Sequence, residues 1–252
     1  SIITVTKDNI SGLIPTCESI YPFLSYELQH IVIDGNSRDG TQDYLGSITH
    51  SSFLFISEPD LGIFDAMNKG ALISQAKYLW FINSGDLLLP SSLSNIYSIL
   101  STLSPDLVLA NTLLNTPSGL HKSLIPPTEL IRSMAGCNRI PHPSSIVSTS
   151  KFNSVSGFNL SYKYSSDYDF FLRLLLTQQI HIHYHDESLV LMESGGVSDP
   201  AHGNTPHYFL LRELWIIQNH HFGMLRATIS SFFSLTYFVK ARLIQMFSCI
   251  SC

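Results

Sequence analysis

Four stretches of this chain carry acids that can do chemistry, three where an apolar run gives way to a turn and one at the start of a helix-length segment. VIDGNSRDGT (residues 32–41) presents Asp34 and Asp39, and SEPDLGIFDAMNKG (residues 57–70) presents Asp60 and Asp65 with Asn68 and Lys69. YLWFINSGD (residues 78–86) ends on Asp86, with Asn83 just before it, and YSSDYDFFLR (residues 164–173) carries Asp167 and Asp169. A carboxylate can accept hydrogen bonds from a ligand, hold a hard cation together with phosphate oxygens, or take a proton from a hydroxyl. A lysine can meet a phosphate as a point charge. Each residue also has a plainer use. Asp34 and Asp39 can close a turn and cap a helix, and Asp65 with Lys69 can form an exposed i,i+4 ion pair. Asp86 can cap the helix that follows it, and Asp167 can be only an acid at a helix N-terminus.

Short apolar runs alternate with helix-length segments through the first 111 residues. Strands are predicted at residues 2–6, 29–34, 53–57, 78–83 and 106–111, and helices at 11–25, 41–48, 63–75 and 91–103. That rhythm predicts βαβ units and a mostly parallel sheet, which gathers the strand-end acids into one crevice at the carboxyl edge. Beyond residue 111 a hairpin turning at residues 117–119 is predicted, then a helix entered at Pro126-Pro127. A strand at 145–148, a helix at 164–177 and two strand pieces at 179–185 and 188–193 follow.

Together the phrases resemble family 2 glycosyltransferases over roughly the first 200 residues, in particular the bacterial exopolysaccharide and O-antigen (colanic-acid type) branch. The resemblance implies an α/β protein of the GT-A fold, with a mostly parallel central sheet flanked by helices and a C-terminal helical tail. It implies an inverting transfer of a hexose or N-acetylhexosamine from a nucleotide-diphospho-sugar, UDP-linked by preference, to a lipid-linked saccharide. Thr4, Thr6, Asp34, Asp60, Asn68, Lys69 and Asn83 would bind the donor. Asp86 would be the remaining carboxylate of the family's Asp-x-Asp-Asp-like signature and would hold Mg²⁺ or Mn²⁺ with the donor phosphates. Asp167 matches the family's catalytic base, preceded by the family's GFN element at residues 157–159. His142, in RIPHPS (residues 139–144), and Asp169 would face the acceptor. Gly35, Gly85 and Ser166 stand where the family often has acids. They motivate a second expectation, a catalytically silent relative that binds nucleotide-sugar or glycan or scaffolds a partner transferase.

With 44% hydrophobic residues, 252 residues can bury a sizeable core, and a net charge of −5 argues against nucleic-acid binding. Four scattered Cys give no disulfide framework and no secretory signal is read, so the expected place is the cytoplasm, peripheral on the inner face of the bacterial plasma membrane. No GxGxxG or GK[ST] loop appears, which removes the usual dehydrogenase and NTPase readings. His181, His183 and His185 share one strand face and are read as solvated, and the terminal Cys249/Cys252 pair is assigned no role. The expected division is a 1–206 catalytic domain, with a 1–111 nucleotide-sugar half and a 112–206 acceptor half, followed by helices over 207–252. In that tail Leu225, Ile229, Phe232, Val239, Leu243 and Phe247 recur at helical spacing, and 13 residues separate Arg226 from Lys240, too few to span a bilayer. The tail is expected to lie in the membrane interface, or to pack on the domain or on a second copy in a homo-oligomer.

Overall fold

Strands β1 (Ile2–Thr6) and β2 (His30–Asp34) are buried at every position, as strands covered by helices on both faces must be. The computed structural model describes residues 1–90, 93–116, 119–123, 130–135, 138–177, 179–193 and 207–224. The amino-terminal half alternates as its hydrophobic rhythm predicts. After β1 come α1 (Ile10–Ile20), β2, α2 (Thr41–Ser47), β3 (Phe53–Ser57), α3 (Ile63–Ile73), β4 (Tyr78–Phe81), the short β5 (Leu87–Leu88) and α4 (Leu93–Thr102). The second half runs β6 (Leu107–Thr116), β7 (Gly119–Ser123), α5 (Leu130–Met134), β8 (Ser145–Ser148), α6 (Thr149–Ser154), α7 (Ser166–Thr177), β9 (Ile182–Glu193) and α8 (His207–Phe222).

Among the described residues nine strands make one sheet in the order β3-β2-β1-β4-β8-β6-β9-β5, with β7 paired to β6. β3, β2, β1 and β4 are parallel, so Thr6, Asp34 and Ser57 line up across one carboxyl edge, in register Thr6↔Asp34 and Asp34↔Ser57. Pairing then turns antiparallel at β4–β8 and β8–β6, and β6–β9 is parallel again. The antiparallel junction matters for the site. β8 pairs Trp80↔Ile146, so the chain entering β8 lies beside the chain leaving β4. A 3₁₀ turn, His142–Ser144, is thereby set against the loop after β4.

The two strand pieces predicted at the end of the domain form one strand, β9. Its register against β6 jumps from Ala110↔His185 to Asn111↔Ser188, which leaves Asp186 and Glu187 out of the ladder. That irregularity is why the sequence reads as two pieces. The core continues into α8, where Ile217 is fully buried in the cluster that holds α7 and the first strands. Among the described residues no helix is long and apolar enough to cross a membrane. The amphipathic segment from Leu225 to Phe247, the Cys249/Cys252 pair, Pro126-Pro127 and the hairpin tip at Pro117-Ser118 lie outside the described residues.

Candidate functional site

The carboxyl edge of β1–β3 is built from saturated polar groups. Asp34 is fully buried. Its Oδ1 accepts from Ser37 N (3.2 Å) and, in a short contact, from Ser37 Oγ, while its Oδ2 accepts from Ser37 N at 3.1 Å and Ser57 Oγ at 2.6 Å. Asp39 accepts from Ile10 N at 2.7 Å and from Thr41 Oγ1 at 2.6 Å, fastening the starts of α1 and α2 together. Those hydrogen bonds, not burial, hold its carboxyl below the ordinary range. Thr4 is buried within the sheet, its hydroxyl 2.9 Å from His30 Nε2, and burial pushes that imidazole down to about 3.

Thr6 differs. Its hydroxyl is buried at the end of β1 with no partner in the structure, a polar group placed where a ligand can satisfy it. Asp60 reaches the same edge, its Oδ1 accepting from Gly62 N at 2.9 Å. A Cβ on Gly35 would stand 2.5 Å from Asp60 Oδ2, so the carboxylate of Asp60 occupies the space that a side chain at position 35 would need. Asn68 faces inward and pairs with the backbone of Phe158, donating to its carbonyl at 2.8 Å and accepting from its N–H at 2.9 Å. Lys69 bonds Glu58 at 2.8 Å and Pro59 O at 2.9 Å, with Asp65 at 3.5 Å.

A second group forms where β4 ends. Asn83 Nδ2 lies 3.0 Å from His142 Nε2, and Asn83 Oδ1 is buried without a partner. Asp86, three residues on, is buried, and the left-handed Gly85 (φ +105°) turns the chain toward it. His142 Nδ1 faces Asp167 Oδ2 at 3.8 Å, beyond a hydrogen bond. The oxygen is held instead by Asn138 Nδ2 at 2.9 Å. Burial, only partly offset by backbone N–H groups of the first turn of α7 and by Asn138, pushes the Asp167 carboxyl up to about 6. Burial pushes His142 down to about 4. Above pH 6 an anionic Asp167 therefore faces a neutral imidazole, not an ion-pair partner.

Helix α7, which carries Asp167, is fixed from several sides. Gly157, at φ +63°, starts the approach, and a Cβ there would meet Asn68 Oδ1 at 2.7 Å and Phe152 at 2.9 Å. Phe158 then sits among Phe64, Phe81, Phe152 and Phe170 with ring centroids 5.1–5.4 Å away. Glu213 of α8 accepts from Lys163 N at 2.7 Å, Tyr164 N at 2.8 Å and Ser165 N at 3.0 Å, just ahead of α7. Asp169, predicted on the acceptor side, points away from Asp167 into the core. It bonds Arg173 Nε at 2.7 Å and lies 3.2 Å from His221 Nε2 of α8. Its carboxyl stays below the ordinary range because His221 and Arg173 together outweigh its burial.

Asn83, His142 and Asp167 are thus brought to one place, with Asp86 buried three residues on along the Asn83 loop, and Thr6 and Asp60 share the adjoining edge. Asn68, Lys69 and Asp169 are engaged elsewhere. Sequence reasoning passed over Asn138 and Glu213. The signal for Asn138 was its place four residues before His142 in a segment stiffened by Pro141 and Pro143; Glu213, on a helix beyond the motifs, offered none. Among the described residues no three His, Cys, Asp or Glu side chains cluster as a ready metal cage. Asp86 alone suits a hard cation that takes its remaining oxygens from phosphates and water.

Residues 1–185 match the family model described as glycosyl transferase family 2. A Mycobacterium tuberculosis protein described as an uncharacterized glycosyltransferase is 31% identical over 179 residues, 70% of this chain and 68% of its own. A PGL/p-HBAD biosynthesis glycosyltransferase of Mycobacterium bovis is 23% identical over 193 residues, 72% of this chain and 73% of its own. Among solved structures, S. aureus TarS 1–349 in complex with UDP-GlcNAc superposes with a TM-score of 0.70 at 16% identity, over 86% of this chain and 64% of that one. The chain spans only 38% of the longer TarS structure. The mannosyltransferase PcManGT of Pyrobaculum calidifontis, in complex with GDP-Man and Mn²⁺, gives a TM-score of 0.62 at 12% identity, over 100% and 74% of the two chains.

Proposed function

The chain belongs to glycosyltransferase family 2 and has the GT-A fold, and from that premise we propose an inverting transfer of a hexose or N-acetylhexosamine from a UDP-sugar to a lipid-linked saccharide. Glycosyl transfer from a nucleotide-sugar is what the family does. The donor nucleotide, the acceptor and the stereochemistry are our reading. One observation carries it: Asp167, with its carboxyl raised to about 6, is seated by Asn138 beside His142 and the Asn83–Asp86 loop. A base that titrates just below neutrality is ionised at the working pH and still holds a proton well enough to take it from a hydroxyl.

In this reading the acceptor hydroxyl gives its proton to Asp167 as its oxygen bonds to the anomeric carbon. The bond from that carbon to the diphosphate breaks on the opposite face, and the diphosphate leaves with the electron pair. Asp86 would hold Mg²⁺ or Mn²⁺, which when bound offsets the charge developing on the leaving group. Thr6, with its unpartnered hydroxyl, and Asp60, in the space beside Gly35, bind the nucleoside. Asn83 offers its unpartnered Oδ1 to the donor. The saturated groups of Asp34 and Thr4 support that edge from within the sheet. The UDP preference is supported by a neighbour in complex with UDP-GlcNAc, while another is in complex with GDP-Man. A lipid-linked acceptor would place the enzyme at the cytoplasmic membrane face, within bacterial surface polysaccharide assembly.

Calorimetric titration with UDP and with GDP, each with and without Mn²⁺, tests the donor half. Metal-dependent UDP binding supports the reading, and GDP binding alone would move the donor to a GDP-sugar. Absence of both in a folded sample would favour the silent relative.

A further inference from the structure

We propose that Asn138 and His142 are positioning residues for Asp167, which together engage its Oδ2 so that Oδ1 is presented to the acceptor hydroxyl. The proposal rests on Asp167 being the base. It is carried by a chain of polar contacts in which each member fixes the next.

The orientation of Asn138 follows from two contacts. Its Oδ1 accepts from Ile140 N at 3.1 Å, so its NH₂ is the group 2.9 Å from Asp167 Oδ2. A carboxylate can only accept there, so the assignment is consistent at both ends. The state of His142 follows from the orientation of the Asn83 amide in the structure, whose Oδ1 has no partner of its own. Asn83 Nδ2 stands 3.0 Å from His142 Nε2, and an amide NH₂ donates only to an imidazole nitrogen without a hydrogen. The proton of the neutral ring is then on Nδ1, the nitrogen 3.8 Å from Asp167 Oδ2. Asn83 thus sets the tautomer, and the tautomer points an N–H at the base.

Asn83 lies on the same loop as Asp86, three residues upstream. The chain Asn83–His142–Asp167 therefore joins the loop assigned to the donor with the group assigned to the acceptor. The 3.8 Å gap is one short movement of the loop from a hydrogen bond, so donor-induced settling of Asn83 would tighten the grip on Asp167. The other charged group that acts on Asp167 is Glu213, from the α8 side, and it raises the carboxyl further. Asn138 acts in the opposite sense, since a donor to the carboxylate favours the ionised form.

The test is a carboxyl ¹³C NMR titration of Asp167, its signal assigned by its loss in Asp167→Asn, in the wild type, Asn138→Ala and Asn138→Asp. Asn138→Asp keeps an oxygen for Ile140 N–H, loses the donor and adds a like charge, so Asn138→Ala reads the donor alone and Asn138→Asp shows that the loop tolerates the change. The expected result is an upward shift of about half to one pH unit in Asn138→Ala and more in Asn138→Asp. An unmoved titration in whichever variant folds overturns the proposal. ¹⁵N NMR of the His142 ring should show Nδ1 protonated in the wild type and lose that preference in Asn83→Leu. A wild-type ring protonated on Nε2 overturns the role of His142.

Release of UDP from UDP-GlcNAc, or of GDP from GDP-mannose, by Asp167→Asn is measured in parallel. Retained release in that variant removes the base assignment and this proposal with it. Lost release with an unmoved titration overturns the positioning proposal alone.

Discussion

Asp34 and Asp167 stand at equivalent kinds of place, each where an ordered element meets a loop on the ligand side of the sheet, and the structure treats them in opposite ways. Asp34 is fully buried, and both its oxygens are taken by Ser37 and Ser57. Asp167 keeps 19% of its side chain exposed and is held by backbone N–H groups of the first turn of α7 and by Asn138, yet burial outweighs them and raises its carboxyl to about 6. A carboxylate whose two oxygens are both taken inside the protein serves the fold. One whose burial outweighs its donors stays basic and can serve a reaction. The same contrast runs through both regions, for Thr4 and Asn68 are satisfied inside the protein while Thr6 and Asn83 carry atoms with no partner.

The sharpest way to break this contrast is to remove each acid. Asp167→Asn should lower turnover about 10²- to 10⁴-fold with little change in UDP affinity, measured by UDP release and calorimetry. Turnover near wild type would take away the distinction between the two acids. Asp34→Asn should act on the fold, because an amide cannot accept from all of the Ser37 and Ser57 donors and leaves at least one buried group unmatched. A loss of about 2–3 kcal/mol is expected in urea unfolding. Wild-type stability in that variant would mean the turn does not need the anion.

A finer cut uses pH. The carboxyl of Asp167 lies above the ordinary carboxylate range, so the folded state binds that proton more tightly than the unfolded state. Wild-type stability should therefore decline as pH rises from about 4 to about 6 and stay reduced above it. Asp167→Asn has no such proton and should escape the decline. At pH 8 it should be the more stable protein by about 3 kcal/mol, with the gap closing near pH 4. An active-site acid that costs stability while ionised is what a group kept for chemistry looks like. A constant gap across the range would show that burial does not raise the Asp167 carboxyl.

The sequence made the frame legible and the distinction within it illegible. Strand ends, the parallel first half and the segments bearing Asp86 and Asp167 follow from hydrophobic rhythm and from the resemblance of four short phrases. Whether an acid is saturated depends on donors far along the chain. Asp34 is matched by Ser57, 23 residues away, and Asp167 by Asn138, 29 residues away. Asn68 shows the same limit, since its partner is the backbone of Phe158, 90 residues on. Helix α8 lies past residue 185, where the family match ends, yet Glu213 and His221 fasten both ends of the segment that carries Asp167. No local pattern on α8 announces that task. It arises only when β9 has brought the chain back across the sheet.

Lys69 offers the smallest effect and a useful one, because its residue type suits a phosphate and its surroundings do not. Its ammonium has Glu58 at 2.8 Å, Pro59 O at 2.9 Å and Asp65 at 3.5 Å, and the hydrogen bond to Glu58 leads in raising its pKa. To meet a diphosphate it would have to leave two carboxylates and a carbonyl. Lys69→Met should therefore change stability by no more than about 0.5 kcal/mol, as surface pairs do, and should leave UDP affinity within about two-fold. A loss of ten-fold or more would mean that the ammonium does leave its partners when the donor arrives. Saturation in the unliganded protein would then be a resting arrangement at the donor edge, and Asp34, which has no exposed surface through which to trade partners, would be the only kind of group for which it is permanent.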